Sequence, residues 1–249
     1  MKTILITGCS AGVGYGLVQK FLDNNYNVIA VSRNIQPLEV INHKLLHIVQ
    51  ADITNGNDQL KILAALNEAS GSETIEIINN AAFGQPETFA TTSLDSIRHH
   101  FETNFFAPIA LLQKILAQIS VSRVLNISSG AAEFPLQSLL PYCTSKAAIH
   151  HAIKCLNLEY PNTRFANLRP GMVDTPLQER WRDVKSEVFP NGNFYAKTKA
   201  KNKLISISTV ADFVYWVITQ PLNVFAQDWN IAKVEDHKFW LNNVDLYSA

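Results

Sequence analysis

The chain has 249 residues, 47% of them apolar and 17% charged, so a sizeable core can be buried. Lys plus Arg and Asp plus Glu both number 21, a formal net charge of zero. That balance gives polyanions nothing to bind, and it excludes nucleic acid as a general partner and a membrane surface held by charge. Cys9, Cys143 and Cys155 are odd in number and far apart, which suits small reduced side chains in a cytosol rather than a disulfide framework. No Cys/His spacing suits a metal site.

The first apolar run, residues 3–6, is too short for a signal peptide, and no stretch approaches the ~18 residues of a membrane span. A soluble, cytoplasmic protein is expected. The run leads into Thr7-Gly8-Cys9-Ser10-Ala11-Gly12-Val13-Gly14 and a helix-like segment. Gly8 allows the tight turn, Gly12 lets the backbone approach a pyrophosphate, and Gly14 permits close helix packing. The helix N-terminus beyond offers free N–H groups to phosphate.

The second run, residues 27–31, ends in Ser32-Arg33-Asn34 without an acid. An acid there would hold a ribose 2′-hydroxyl, whereas Arg33 can pair with a 2′-phosphate and Ser32 can donate to it. NADP is therefore expected over NAD. The third run, 46–49, precedes Asp52, placed to accept from an adenine amino group or to cap the next turn. The fourth, 75–78, ends in Asn79-Asn80-Ala81-Ala82, small residues and amides suited to close approach and loop tying.

The fifth run, 123–127, is followed by Ser128-Ser129, and Tyr142-Cys143-Thr144-Ser145-Lys146 opens an apolar helix. Tyr and Lys four apart share a helix face, and an ammonium beside a phenol lowers its pKa. Ser129 can hold a substrate oxygen beside Tyr142, and Asn104 can kink or hydrate a helix and relay protons through water to Lys146. Runs at 164–168 and 229–232 complete the set. Strand-helix alternation without a linker predicts an α/β, three-layer, doubly wound parallel sheet of about seven strands, one domain over 1–249. Residues 176–208, with Trp181, Phe189, Phe194 and Tyr195, break the rhythm and read as a substrate lid.

The residues together resemble the short-chain dehydrogenase/reductase family. The pieces are Thr7-Gly8-x-x-x-Gly12-x-Gly14, Asp52, Asn79-Asn80-Ala81, Asn104, Ser129, Tyr142-x-x-x-Lys146 and Arg169-Pro170-Gly171-Met172-Val173-Asp174-Thr175. The resemblance implies a Rossmann fold with strand order 3-2-1-4-5-6-7. It implies an Asn104–Ser129–Tyr142–Lys146 tetrad with Tyr142 as acid–base. It also implies a dinucleotide site built from Gly8, Ser10, Gly12, Val13, Gly14, Ser32, Arg33, Asp52, Ile53, Asn80, Ala81, Ala82, Tyr142, Lys146, Pro170, Gly171, Val173 and Thr175, and a homodimer or homotetramer. Val173-Asp174-Thr175-Pro176-Leu177-Gln178 is similar to the sepiapterin reductase and benzil reductase branch. Ala82 departs from the family's usual glycine, and residues 229–234 lack its glycine-rich ending.

The expected function is NADPH-dependent reduction of a carbonyl, or the reverse oxidation of an alcohol. The alternative is a non-catalytic regulator that senses NADP. Substrate walls are expected from residues 83–95, 130–141 and 176–208, with Phe134, Leu136, Leu139, Leu140, Trp181 and Phe189 as apolar contributors. His99-His100 and His150-His151 point about 100° apart within each pair and read as surface or groove residues, not as metal faces.

Overall fold

The computed structural model describes residues 2–70, 74–241 and 245–247. In chain order the elements are β1 (Thr3–Thr7), α1 (Gly12–Asp23), β2 (Asn27–Ser32), α2 (Gln36–Glu39), β3 (Leu46–Gln50), α3 (Gly56–Ser70), β4 (Ile75–Asn79) and α4 (Leu94–Phe101). There follow a π-helical turn (Glu102–Phe106), α5 (Ala107–Leu116), β5 (Val121–Ile127), α6 (Leu140–Glu159), β6 (Arg164–Arg169), α7 (Pro176–Arg182), α8 (Asn191–Ala200), α9 (Ile207–Thr219), α10 (Leu222–Phe225), β7 (Asp228–Asn230) and α11 (Val234–Trp240).

The strands form one seven-stranded sheet in the order β3-β2-β1-β4-β5-β6-β7, and every pair is parallel. Alternation along each strand decides the layering. Ile4 and Ile6 point to the face covered by α1 and α9, while Leu5 points to the face covered by α3, α5 and α6. β1 and β2 are therefore apolar between their ends, as expected of a sheet covered on both sides, while β4, β5 and β6 carry polar residues among their apolar ones. β3 departs from that expectation because it is an edge strand, and none of its residues is fully buried. The seventh strand is shorter and starts one residue earlier than its apolar run.

A row of amides crosses the sheet. Asn79 Nδ2 donates to Asn126 Oδ1 at 2.9 Å, Asn126 Nδ2 to Asn167 Oδ1 at 2.9 Å, and Asn167 Nδ2 to Asp228 Oδ1 at 3.2 Å. These four residues are direct register partners on β4, β5, β6 and β7. Each buried amide thus finds its partner on the next strand instead of in water.

Both histidine pairs split. His99 and His151 are exposed, but His100 and His150 are buried, which corrects the surface reading for one member of each. His100 Nδ1 meets Ser96 O at 2.8 Å and its Nε2 accepts from Gln85 N at 3.2 Å, so the ring staples the 83–85 loop to α4. His150 Nδ1 meets Ser128 Oγ at 2.8 Å and its Nε2 meets Asp228 Oδ2 at 3.3 Å.

Candidate active site

A cleft of about 640 Å³ opens at the carboxyl ends of the strands, where β1 and β4 part to opposite sides of the sheet order. Such a switch point leaves a crevice because successive crossovers run in opposite directions. Every residue singled out above as a cofactor or catalytic candidate lines this cleft, except Asn104.

The glycine turn forms its floor. Gly8 and Gly12 have φ of +74° and +58°, a conformation that favours glycine. A Cβ on Gly14 would lie 2.1 Å from the Gly8 carbonyl oxygen and 2.6 Å from Asn80 Nδ2. The amide of Asn80 ties the loops as expected, donating to Thr7 O at 2.9 Å and Gly8 O at 3.1 Å. Thr7, missed in the sequence, completes the tie. Its hydroxyl accepts from the backbone N–H groups of Asn80 and Ala81, each at 3.1 Å. Its signal was its place directly before the first glycine.

No side chain caps the N-terminus of α1, where Ala11 is the N-cap, and its first turn holds no acid. Its N–H groups and partial positive charge remain available to an anion. Gln178 lines the same cleft with its Nε2 buried and unpartnered, an unspent donor. A tight glycine floor, an uncapped helix end and a spare amide donor suit a dinucleotide.

At the far end of β2, Ser32 is buried and Arg33 is largely exposed. Arg33 Nη1 lies 3.8 Å from Asp52 Oδ2. The other carboxylate oxygen of Asp52 accepts from Thr54 N at 2.9 Å and Thr54 Oγ1 at 2.8 Å, so Asp52 does serve as a turn cap.

Tyr142 and Lys146 sit one turn apart on α6 and are 5% and 4% exposed. Lys146 Nζ donates to Ile127 O at 2.9 Å, and burial pulls its pKa down to about 8. Burial pushes Tyr142 up to about 12, and a hydrogen bond with Ser129 pulls the other way. Desolvation of a ring packed edge-on against Trp181, at 5.2 Å between centroids, is the largest cause.

Asn104 takes a positioning role that its sequence context did not announce. It occupies the π-turn between α4 and α5, where Ala107 N reaches back to Glu102 O, so the kinked helix is observed. Its side chain bonds directly to groups other than Lys146. Oδ1 accepts from Phe83 N at 2.7 Å, and Nδ2 donates to Phe83 O at 2.8 Å and Ser145 Oγ at 2.9 Å. Both ends of the amide are used in fixing the loop after β4 and the helix that carries Tyr142.

The walls differ from expectation too. Residues 83–95 contribute nothing to the cleft, and neither do Leu139, Leu140 or Phe189. Leu139 and Phe189 are fully buried instead. His99, Thr103 and Met172 take their place beside Phe134, Leu136, Trp181 and Tyr195, the last two from the expected 176–208 stretch. Trp181 Nε1 donates to Gly84 O at 3.0 Å, and a Cβ on Gly84 would lie 2.7 Å from the Tyr142 ring. The region after β6 folds as α7 and α8, joined to the loop after β6 by the Val173–Ile205 bridge and by Asp174 contacts to Arg182 and Lys199. Thr175 caps α7, accepting from Gln178 N at 3.3 Å.

Residues 2–186 match the family model described as short chain dehydrogenase. The chain belongs to the short chain dehydrogenase family. It is an NAD(P)-dependent short-chain oxidoreductase with the Rossmann-like sheet of that family. The chain is 28% identical over 223 residues to a benzil reductase ((S)-benzoin forming) of Bacillus subtilis, covering 85% of this chain and 90% of that one. It is 28% identical over 219 residues to an uncharacterized oxidoreductase of Schizosaccharomyces pombe, covering 84% and 87%. A solved short chain dehydrogenase/reductase from Saccharomyces cerevisiae superposes with a TM-score of 0.86 at 24% identity, covering 96% of this chain and all of that one. Among the described residues no helix is long and apolar enough to cross a membrane.

Proposed function

We propose that this short-chain oxidoreductase is an NADPH-dependent carbonyl reductase, working in reverse as an alcohol dehydrogenase, with Tyr142 as its acid–base. One observation carries the reading: Tyr142, Ser129 and Lys146 meet in the cleft that the glycine turn floors. When bound, the reduced nicotinamide supplies the hydride that reaches the carbonyl carbon.

Gly8, Ser10, Gly12, Val13 and Gly14 would hold the pyrophosphate, with Ser32 and Arg33 at the 2′-phosphate and Asp52 and Ile53 around the adenine. Asn80, Ala81, Ala82, Pro170, Gly171, Val173 and Thr175 would border the ribose and nicotinamide. Tyr142 keeps its proton at neutral pH because its pKa is pushed up, and it donates that proton to the carbonyl oxygen as the alcohol forms. Ser129 holds the same oxygen. Lys146, still charged below its pKa of about 8, stabilises the phenolate left behind and reaches the ribose. Asn104 positions rather than reacts, through Phe83 and Ser145.

Residues 176–208 form the substrate cover of a single nucleotide-binding domain, and the protein works as a cytoplasmic homodimer. The likeness to a benzil reductase supports dicarbonyl substrates with aromatic groups, as do Phe134, Leu136 and Trp181 in the wall. The test is oxidation of NADPH and NADH, in parallel, against a panel of diketones, quinones and aldehydes. Turnover with NADPH is expected. Cofactor binding without turnover across the panel would overturn the reading.

A further inference from the structure

Tyr195 lies 53 residues beyond Tyr142, on α8, yet it lines the same cleft. Its ring is held from several sides. It stacks on Phe189 at 6.1 Å and 22°, meets Phe194 at 5.6 Å, and lies 6.3 Å from Trp181. Trp181 in turn packs 5.2 Å from Tyr142. The three rings therefore form an arc, with a phenol at each end and the indole between.

What differs along the arc is the fate of the polar groups. The Trp181 N–H is spent on Gly84 O, and the Tyr142 hydroxyl is bonded with Ser129. The Tyr195 hydroxyl has no hydrogen-bond partner among the described residues, although the residue is only 9% exposed. Neither is the hydroxyl among the sealed, unpartnered atoms, so it opens to the cleft. A phenol that buries its ring and leaves its hydroxyl unspent in a pocket is a donor awaiting an acceptor. The two phenols are also close enough for charge on Tyr195 to raise the Tyr142 pKa, and burial keeps Tyr195 itself protonated. Other polar groups share the cleft: Arg169 is paired with Glu133, and the Gln178 carbonyl accepts from Arg182, while the Gln178 Nε2 and Arg169 Nε donors lie sealed beneath the wall.

We propose that Tyr195 is a specificity-determining residue whose hydroxyl donates a hydrogen bond to a second substrate oxygen beside the carbonyl that Tyr142 protonates. The site then selects vicinally oxygenated carbonyl compounds, 1,2-diketones and α-ketoesters, over simple ketones of the same size. The inference rests on the carbonyl-reductase reading for its chemistry, but its binding component can be measured apart from turnover.

The experiment compares 1-phenyl-1,2-propanedione with propiophenone, which lacks the second oxygen, in the wild type and in Tyr195→Phe. The substitution removes one oxygen and keeps the stacked ring. The greater intrinsic reactivity of the dione cancels when the variant's selectivity ratio is divided by that of the wild type. The dione-over-ketone ratio of kcat/KM is expected to fall about tenfold in the variant, mostly through KM. A ratio within about twofold of wild type overturns the proposal and leaves the carbonyl-reductase reading standing. Calorimetric titration of both compounds into the protein with NADP⁺ supplies the second readout. Dione binding that weakens about tenfold in Tyr195→Phe, without wild-type turnover of either compound, supports the subsite, and absence of turnover across the wider carbonyl panel as well overturns the reductase reading. Binding of neither compound overturns both.

Discussion

Arg33→Ala is the substitution that separates the two nicotinamide cofactors. The Arg33 side chain is 73% exposed, and its guanidinium already faces Asp52 at 3.8 Å. Two unit charges about 4 Å apart interact by about 1 kcal/mol in water and about 4 kcal/mol near a protein surface. High exposure puts Arg33 toward the lower figure, and sharing with Asp52 offsets part of the doubled charge of a phosphate. About 1–2 kcal/mol remains, which corresponds to about a 5- to 30-fold loss. We predict that Arg33→Ala raises KM for NADPH by that factor and leaves KM for NADH within about twofold. Initial rates from the absorbance of the reduced cofactor give both values on one preparation. An equal loss with both cofactors, or none with NADPH, refutes the placement of a 2′-phosphate at Arg33.

Tyr142→Phe should lower kcat by about 10²- to 10⁴-fold while the dissociation constant for NADPH, read by cofactor fluorescence, hardly moves; retained turnover removes Tyr142 from the chemistry. Lys146 gives a pH signature. Its folded pKa of about 8 lies below the ordinary 10.5, so between about pH 8 and 10 the unfolded chain holds the extra proton on this group and its contribution to stability rises with pH, by at most about 1.4 kcal/mol per unit. The buried Cys9 thiol, pushed far up, pulls the other way above about pH 9 in wild type and variant alike. Tyr142, held up at about 12, opposes the rise only above about pH 10. Lys146→Met should flatten the rise, so denaturation midpoints of wild type and variant diverge in the wild type's favour through that window; a constant difference would contradict the burial argument. Gly14→Ala drives a Cβ to 2.1 Å from a backbone oxygen and should cost about 1–3 kcal/mol and several degrees of Tm, whereas Gly56→Ala meets nothing within 4 Å and should not. Equal Tm changes would mean the glycine turn yields more easily than its contacts imply.

What could be read from the sequence was whatever local chemistry determines. Positive φ at Gly8 and Gly12 is demanded by the turn itself, so the motif declared its geometry. The strands announced themselves because a doubly covered sheet needs apolar runs, clearest in β1 and β2, while the edge strand β3 is half-exposed. Spacing also placed Tyr142 and Lys146 on one helix face. What sequence could not give was the extent of burial at Tyr142, since Trp181 arrives from 39 residues away. The partners of Asn104 were hidden for a related reason. An amide can bond whatever lies nearest, and the nearest groups were the backbone of Phe83 and the Ser145 hydroxyl, fixed by tertiary packing. The same applies to the cleft wall, where His99 and Thr103 line the cleft and residues 83–95 do not.

The amide row across β4, β5, β6 and β7 has a polarity that a single side chain dictates. A carboxylate can only accept, so Asp228 obliges Asn167 to turn its NH₂ outward, which leaves the Asn167 carbonyl for Asn126 and repeats the choice at Asn79. Three amides that would otherwise be free to flip are thereby given one common sense, like arrows set by the last in the line. Their aligned dipoles run along the hydrogen-bonding direction of the sheet, at right angles to the strands, and all carry their donor ends toward the β7 edge.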